Sequence, residues 1–153
     1  MLKKIKSRII NVKFGKNVTI IEPVNLYNCS IGDNSFIGPF VEIQKNVFIG
    51  KNTRIQSHSF ICEGVTISDE CFIGHGVMFV NDLFKNNKIE KNSLFFLKTH
   101  VGKKTLIGSN STILPVNIGS GVTIGAGSVV TKNLIKNNVY YGNPAKKIKS
   151  YLK

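Results

Sequence analysis

Large apolar residues recur at every sixth position through most of this chain. From Ile31, steps of six reach Ile37, Ile43, Ile49, Ile55, Ile61, Ile67 and Ile73, and then Phe79. Glycine often follows the large residue, as at Gly32, Gly38, Gly50 and Gly74. Four positions after it stands a small or β-branched side chain: Ser35, Val41, Val47, Thr53, Ser59, Val65, Cys71 or Val77. Six residues rotate an α-helix by about 600°, so a stripe of this period would drift by roughly 120° around the helix with each repeat. On a strand, by contrast, residues i and i+4 share a face. Each hexad therefore predicts a short strand and a corner, with the large and the small residue both pointing inward. Three hexads make a triangular coil, and coils stack at the strand spacing of about 4.8 Å.

The period continues on both sides. Upstream it runs through Phe14, Ile20 and Leu26, then loses one residue before Ile31. Downstream it resumes at Val101, Ile107 and Ile113, loses one residue at Pro115–Val116, and continues at Ile118, Ile124 and Val130. The expectation is an all-β parallel β-helix of about six triangular coils, a single domain over 1–153. Residues 85–100 carry no hexad and read as one inserted loop. A loop of this length in a compact domain is usually functional or disordered. The tail, 133–153, is expected to end in a short C-terminal α-helix packed through Ile148, Tyr151 and Leu152.

Composition narrows the partners. With 42% apolar and 19% charged residues the chain is a folding one. Its formal charge of +13 comes from 21 Lys plus Arg against 8 Asp plus Glu. That excess suits an anionic partner: nucleic acid, an acidic membrane surface or a phosphorylated small molecule. The cations are spread over the coils and gather only modestly, in Lys3–Lys4–Lys6–Arg8 and Lys146–Lys147–Lys149–Lys153. They are not interleaved with aromatics in a nucleic-acid-binding module. No stretch approaches the roughly 20 apolar residues of a membrane span. No apolar run of signal-peptide type follows Lys3 and Lys4, so a cytoplasmic location is expected. Cys29, Cys62 and Cys71 lack the short spacing of a zinc knuckle or redox dithiol and read as small apolar fillers.

The hexads resemble the left-handed β-helix of the hexapeptide-repeat acyltransferase superfamily over nearly the whole chain. The left hand is implied by that resemblance alone, since general crossover rules favour the right. The segment Ile124-Gly-Ala-Gly-Ser-Val-Val-Thr-Lys132, followed by Tyr141-Gly-Asn-Pro-Ala-Lys-Lys-Ile148, is similar to the terminal coil of members that use coenzyme A. The resemblance implies acetyl-CoA as co-substrate, no metal, and cofactor contacts at Gly108, Gly125, Ala126, Lys132, Asn143, Pro144, Lys146 and Lys147. Gly125, Ala126 and Gly127 would let a thin flexible arm approach the backbone, and the lysines would meet phosphates.

Ser57-His-Ser-Phe-Ile-Cys-Glu-Gly-Val-Thr-Ile67 and Phe72-Ile-Gly-His-Gly-Val-Met-Phe-Val-Asn-Asp82 resemble a narrower branch. Its members acetylate the 3-amino group of nucleotide-linked (dTDP or UDP) sugars for bacterial surface polysaccharides such as lipopolysaccharide. Leu83-Phe84-Lys85 stands here where that branch carries Pro-Arg. The branch implies catalytic roles for His75 and Asn81, and sugar contacts from Glu63, Asn81, Asp82 and His58.

The period then acts as a ruler. Glu63 and Asn81 are one coil apart and should share a corner, whereas His75 sits at the preceding corner. Within one subunit His75 and Asn81 stay apart; in a homotrimer, corners of neighbouring subunits would bring them together. A histidine at this position is the residue type suited to accept a proton, although a departing thiolate can also take the proton. Other readings are O-acetylation of a sugar hydroxyl, a non-catalytic β-helix scaffold, and a carbonic-anhydrase-like metal protein using His58, His75 and His100. The last requires three histidines to converge, and their hexad positions differ.

Overall fold

The computed structural model describes residues 8–151, which wind into a three-faced, left-handed parallel β-helix. Successive strands visit the faces in turn. The first face holds seven strands, from Ile9–Ile10 to Val129–Val130, and the second holds six, from Lys13–Phe14 to Asn117–Ile118. The third holds eight, from Thr19–Ile20 to Lys146–Ser150. The solenoid makes nearly seven turns rather than six. The additional strands, Ile9–Ile10 and Asn138–Tyr141, lie beyond the outermost hexads.

The isoleucine column is the core. From Ile31 to Ile73 none of the eight is more than 2% exposed, and none of the small residues between them exceeds that value. Register stacks like on like: Ile37, Ile55, Ile73, Ile107 and Ile124 on the third face, and Ile31, Ile49 and Ile67 on the second. The buried hydroxyls find backbone partners; Ser59 Oγ, for example, donates to Gly74 O at 2.9 Å. Phe14, in the N-terminal coil, is 43% exposed and is not part of the sealed column.

Corners have their own period of six. One residue at each takes left-handed backbone geometry, and asparagine fills that seat at Asn28, Asn34, Asn46 and Asn52, with φ between 50° and 60°. Asparagine tolerates this region better than other side chains with a Cβ. The glycines after the isoleucines serve another need. A Cβ on Gly74 would lie 2.6 Å from the backbone nitrogen of Ser109 in the next coil, so stacking at that spacing requires bare backbone.

Two expectations are corrected. The inserted loop does not reach His100, because Thr99–Val101 is a strand of the second face paired with Val65–Ile67 and Asn117–Ile118. Thr99 and Val101 point inward and His100 outward, the alternation of a strand. The insertion thus leaves the coil after Val80, whose N–H still donates to Ile113 O in the next coil, and rejoins it at Thr99. No α-helix forms in the described tail. Lys146–Ser150 is a strand that runs antiparallel to Asn138–Tyr141. The last coil ends in an open strand edge whose N–H and C=O groups need partners, and a hairpin supplies them where a helix would not. Lys3, Lys4, Lys6, Leu152 and Lys153 lie outside the described residues.

Ile55 is fully buried between Ile37 and Ile73, so Ile55→Ala should cost about 2–5 kcal/mol, read as a lowered urea midpoint. Burial pushes the thiols of Cys29 and Cys71 up to about 11 and that of Cys62 to about 12. The native protein should therefore leave a thiol-specific reagent unreacted at pH 8, whereas the unfolded chain should titrate all three.

Candidate active site

Each edge of the prism is a column of corners, and the candidate residues fall on two of them. The edge between the third and first faces carries, in successive coils, Phe40, Ser57–His58, His75–Gly76, Ser109–Asn110, Ala126–Gly127 and Asn143–Pro144. The edge between the first and second faces carries Lys45–Asn46, then Glu63, then Asn81 and the insertion. His75 and Asn81 therefore stand on different edges of one chain. Glu63 and Asn81 share an edge and touch: Asn81 Nδ2 donates to Glu63 O at 3.1 Å.

His75 is exposed and flanked by two serines. Ser57 Oγ lies 2.8 Å from His75 Nδ1, one coil below. From the coil above, Ser109 Oγ accepts the His75 backbone N–H at 3.2 Å. The Nε2 atom has no partner among the described residues. The ring is thus anchored through one nitrogen and presents the other outward. Ser57 was findable from the sequence, being one coil from His75, but the insertion broke the ruler between His75 and Ser109.

Around Asn81 the polar groups are mostly committed. Glu63 is 7% exposed; its carboxylate accepts from Asn46 Nδ2 at 3.0 Å and faces Lys45 Nζ at 3.5 Å. Asp82 organises the loop, Oδ1 accepting from the Phe84 N–H at 2.8 Å and Oδ2 from the Glu90 N–H at 2.9 Å. Lys45 also reaches Ser93 Oγ at 3.3 Å, pinning the loop to the coils. Asn81 Oδ1 is the atom left without a partner among the described residues. Asn81 lines a cleft of about 490 Å³ with Asp82, Lys85, Lys88, Glu90 and Phe95.

The terminal coils refine the cofactor candidates. A Cβ on Gly125 would lie 2.7 Å from Tyr141 Cβ, and one on Gly108 would strike the Ala126 backbone, so coil packing alone requires both glycines. Gly127 has open space where its Cβ would be, and with Ala126 it is exposed on the same edge as His75. Asn143 and Pro144 continue that edge beyond them, with Lys146 and Lys147 following on the exposed final strand. Lys132 follows Val129–Val130 and so belongs to the Asn81 edge. His58 shares the His75 edge, but His100 faces outward from the second face. Among the described residues no three His, Cys, Asp or Glu side chains gather in a metal-binding group, and no helix is long and apolar enough to cross a membrane.

Comparisons with known proteins agree with this architecture. The family model for bacterial transferase hexapeptide (six repeats) matches residues 28–63, and that for the hexapeptide repeat of succinyl-transferase matches 98–132. Bifunctional protein GlmU of Acinetobacter baylyi is 49% identical over 45 residues, 29% of this chain. The matched segments span only 10% of that protein and 8% of its counterpart in Cellvibrio japonicus. A crystal structure of AntD, an N-acyltransferase from Bacillus cereus in complex with dTDP and coenzyme A, superposes with a TM-score of 0.80 at 29% identity. It covers 92% of this chain and 84% of that one. A second AntD structure, with dTDP-4-amino-4,6-dideoxyglucose and coenzyme A, has the same TM-score at 28% identity, covering 94% and 86%. By class, then, the chain is a hexapeptide-repeat β-helix. Its repeats and its fold are similar to those of the hexapeptide-repeat acyltransferases.

Because both carboxylate oxygens of Asp82 hold loop amides, Asp82→Ala should speed proteolytic nicking within 84–96 while the thermal midpoint of the coils stays nearly unchanged. Limited proteolysis beside a melting curve checks this.

Proposed function

We propose that this protein transfers an acetyl group from acetyl-CoA to the amine of a nucleotide-linked amino-deoxy sugar. The observation that carries the reading is the anchored, outward-facing His75 on the same edge as the bare Ala126–Gly127 corner. It is supported by the likeness to AntD, whose structures hold dTDP, an amino-sugar nucleotide and coenzyme A. The sequence resemblance favours an amine at C3, while the AntD ligand carries its amine at C4, so both belong in the assay. The acceptor would serve surface-polysaccharide synthesis, and the basic surface would meet the phosphates of both substrates.

Acetyl-CoA supplies an acyl group activated as a thioester. The chain's own residues set the rest. With Ser57 Oγ accepting a hydrogen bond from Nδ1–H, His75 Nε2 presents its lone pair outward and takes a proton from the attacking amine. The new C–N bond forms as the C–S bond breaks, and the proton passes to the departing sulfur, giving amide and free thiol. Asn81 Oδ1 accepts a hydrogen bond from the sugar amine and orients it. Glu63 and Asp82, already partnered within the chain, hold Asn81 and the loop. The exposed Ala126–Gly127 and Asn143–Pro144 corners form the channel for the cofactor arm, with Lys146 and Lys147 beside its phosphates.

His75 and Asn81 meet only between copies, so the reading includes a homotrimer with its sites between subunits. The insertion has the surface for such contact: Phe84, Ile89, Leu94 and Phe95 are each more than 60% exposed. Light scattering should give the mass of three chains. His75→Ala should lower kcat by about 10²–10⁴, and Ser57→Ala by less, with a changed pH profile that Ser57→Thr restores. Mixing refolded His75→Ala and Asn81→Ala chains should recover activity, because some interfaces then carry both native residues. Acetyl-CoA consumption over a panel of 3-amino and 4-amino sugar nucleotides tests the whole reading. Turnover on sugar hydroxyls alone would replace it with O-acetylation.

A further inference from the structure

Two corners of the His75 edge break the asparagine rule. Phe40 has φ 60° and His58 φ 63°, in the seat that asparagine fills at eight other corners. Histidine tolerates left-handed geometry better than most side chains, but a phenylalanine there is an outlier, and neither ring is buried: Phe40 is 57% exposed and His58 is exposed too. Backbone bonds keep both seats in place, the Phe40 N–H donating to Pro23 O at 2.6 Å and the His58 N–H to Pro39 O at 3.1 Å. The two rings stack, with centroids 4.9 Å apart and planes 28° from parallel. Below Phe40 lies a shallow groove of about 220 Å³ lined by Pro23, Val24 and Glu42. Above His58 the equivalent seat is Gly76, which has no side chain to cover it.

We propose that Phe40 and His58 form a stacking platform for the pyrimidine base of the nucleotide-linked acceptor. The proposal rests on the acyl-transfer reading above and adds where the base lies. The candidate cofactor corners, Ala126–Gly127 and Asn143–Pro144, are all on the C-terminal side of His75 along this edge. Phe40 is two coils away on the N-terminal side, about 10 Å at the strand spacing. A ribose and a diphosphate bridge a gap of that order between a reacting sugar and its base. Aromatic platforms accept any flat base face, so the site selects a nucleotide without selecting uracil from thymine.

Phe40→Asn is the informative variant, because asparagine already fills this seat elsewhere in the chain. Its thermal midpoint should match or exceed that of the native protein, with unchanged mass in solution. Its KM for the amino-sugar nucleotide, and its Kd for dTDP and UDP by calorimetry, should rise about tenfold. The KM for acetyl-CoA and kcat should stay the same, and Phe40→Tyr should bind like the native chain. Unchanged nucleotide affinity in Phe40→Asn, a KM effect confined to acetyl-CoA, or loss of the oligomer would each overturn the platform. So would native protein that binds neither dTDP nor UDP at millimolar concentration. Native protein that binds a nucleoside diphosphate through Phe40 yet acylates no nucleotide sugar would sink the acyl-transfer reading and leave the platform standing.

Discussion

Everything in this molecule depends on one constraint: each inward side chain must sit on its counterpart in the coil below. An isoleucine over an isoleucine at strand spacing excludes water from both and fixes the register of all three faces at once. The small residue on the same strand leaves room for its large neighbour. Bare glycine backbone lets the corners close at the same spacing, as Gly74 does beneath Ser109. A slip of one residue anywhere would turn the column outward, so the stack aligns surface residues as strictly as core ones.

That strictness gives function its geometry. An edge of the prism is a list of residues one coil apart, and chemistry arises where neighbouring coils place complementary groups on one edge. Ser57, His75 and Ser109 form such a set, and so do Glu63 and Asn81. The hydroxyl at Nδ1 matters because an imidazole held at one nitrogen is oriented at the other. The third edge shows the structural use of the same principle. Lys51 meets Asp33 at 2.8 Å and Lys103 meets Asp69 at 3.2 Å, pairs that span successive coils on an exposed surface where water screens them. Hydrogen bonding from Lys51 holds the Asp33 carboxyl below the usual carboxylate range.

The insertion is where the solenoid departs from repetition. It begins beside Asn81, is organised by Asp82, and is tied back by Lys45. Its apolar side chains face outward rather than into the core, which is costly for an isolated chain and natural for one that meets a second copy. Its polar Lys85, Lys88 and Glu90 line the cleft at Asn81 together with the apolar Leu83, Ile89 and Phe95. A regular body thus holds the candidate groups in place, while one irregular segment walls the cleft beside Asn81.

How much of this could be read from the chain follows from which interactions are periodic. Strand alternation and the return of the backbone after each coil are local rules, so the sequence alone determined the β-helix, the buried column, the shared corner of Glu63 and Asn81, and the separation of His75 from both. It also located the insertion, though not its end, because Thr99 and His100 belong to a strand that only pairing with Val65–Ile67 reveals. The tertiary structure decided the rest. The tail became a hairpin rather than a helix because the last coil left a strand edge to be paired. The second serine at His75, the partners already claimed by Glu63 and Asp82, and the stacked rings of Phe40 and His58 are side-chain meetings between coils. The repeat sets which residues come close; which atoms bond depends on rotamers and corner geometry that only the folded chain fixes.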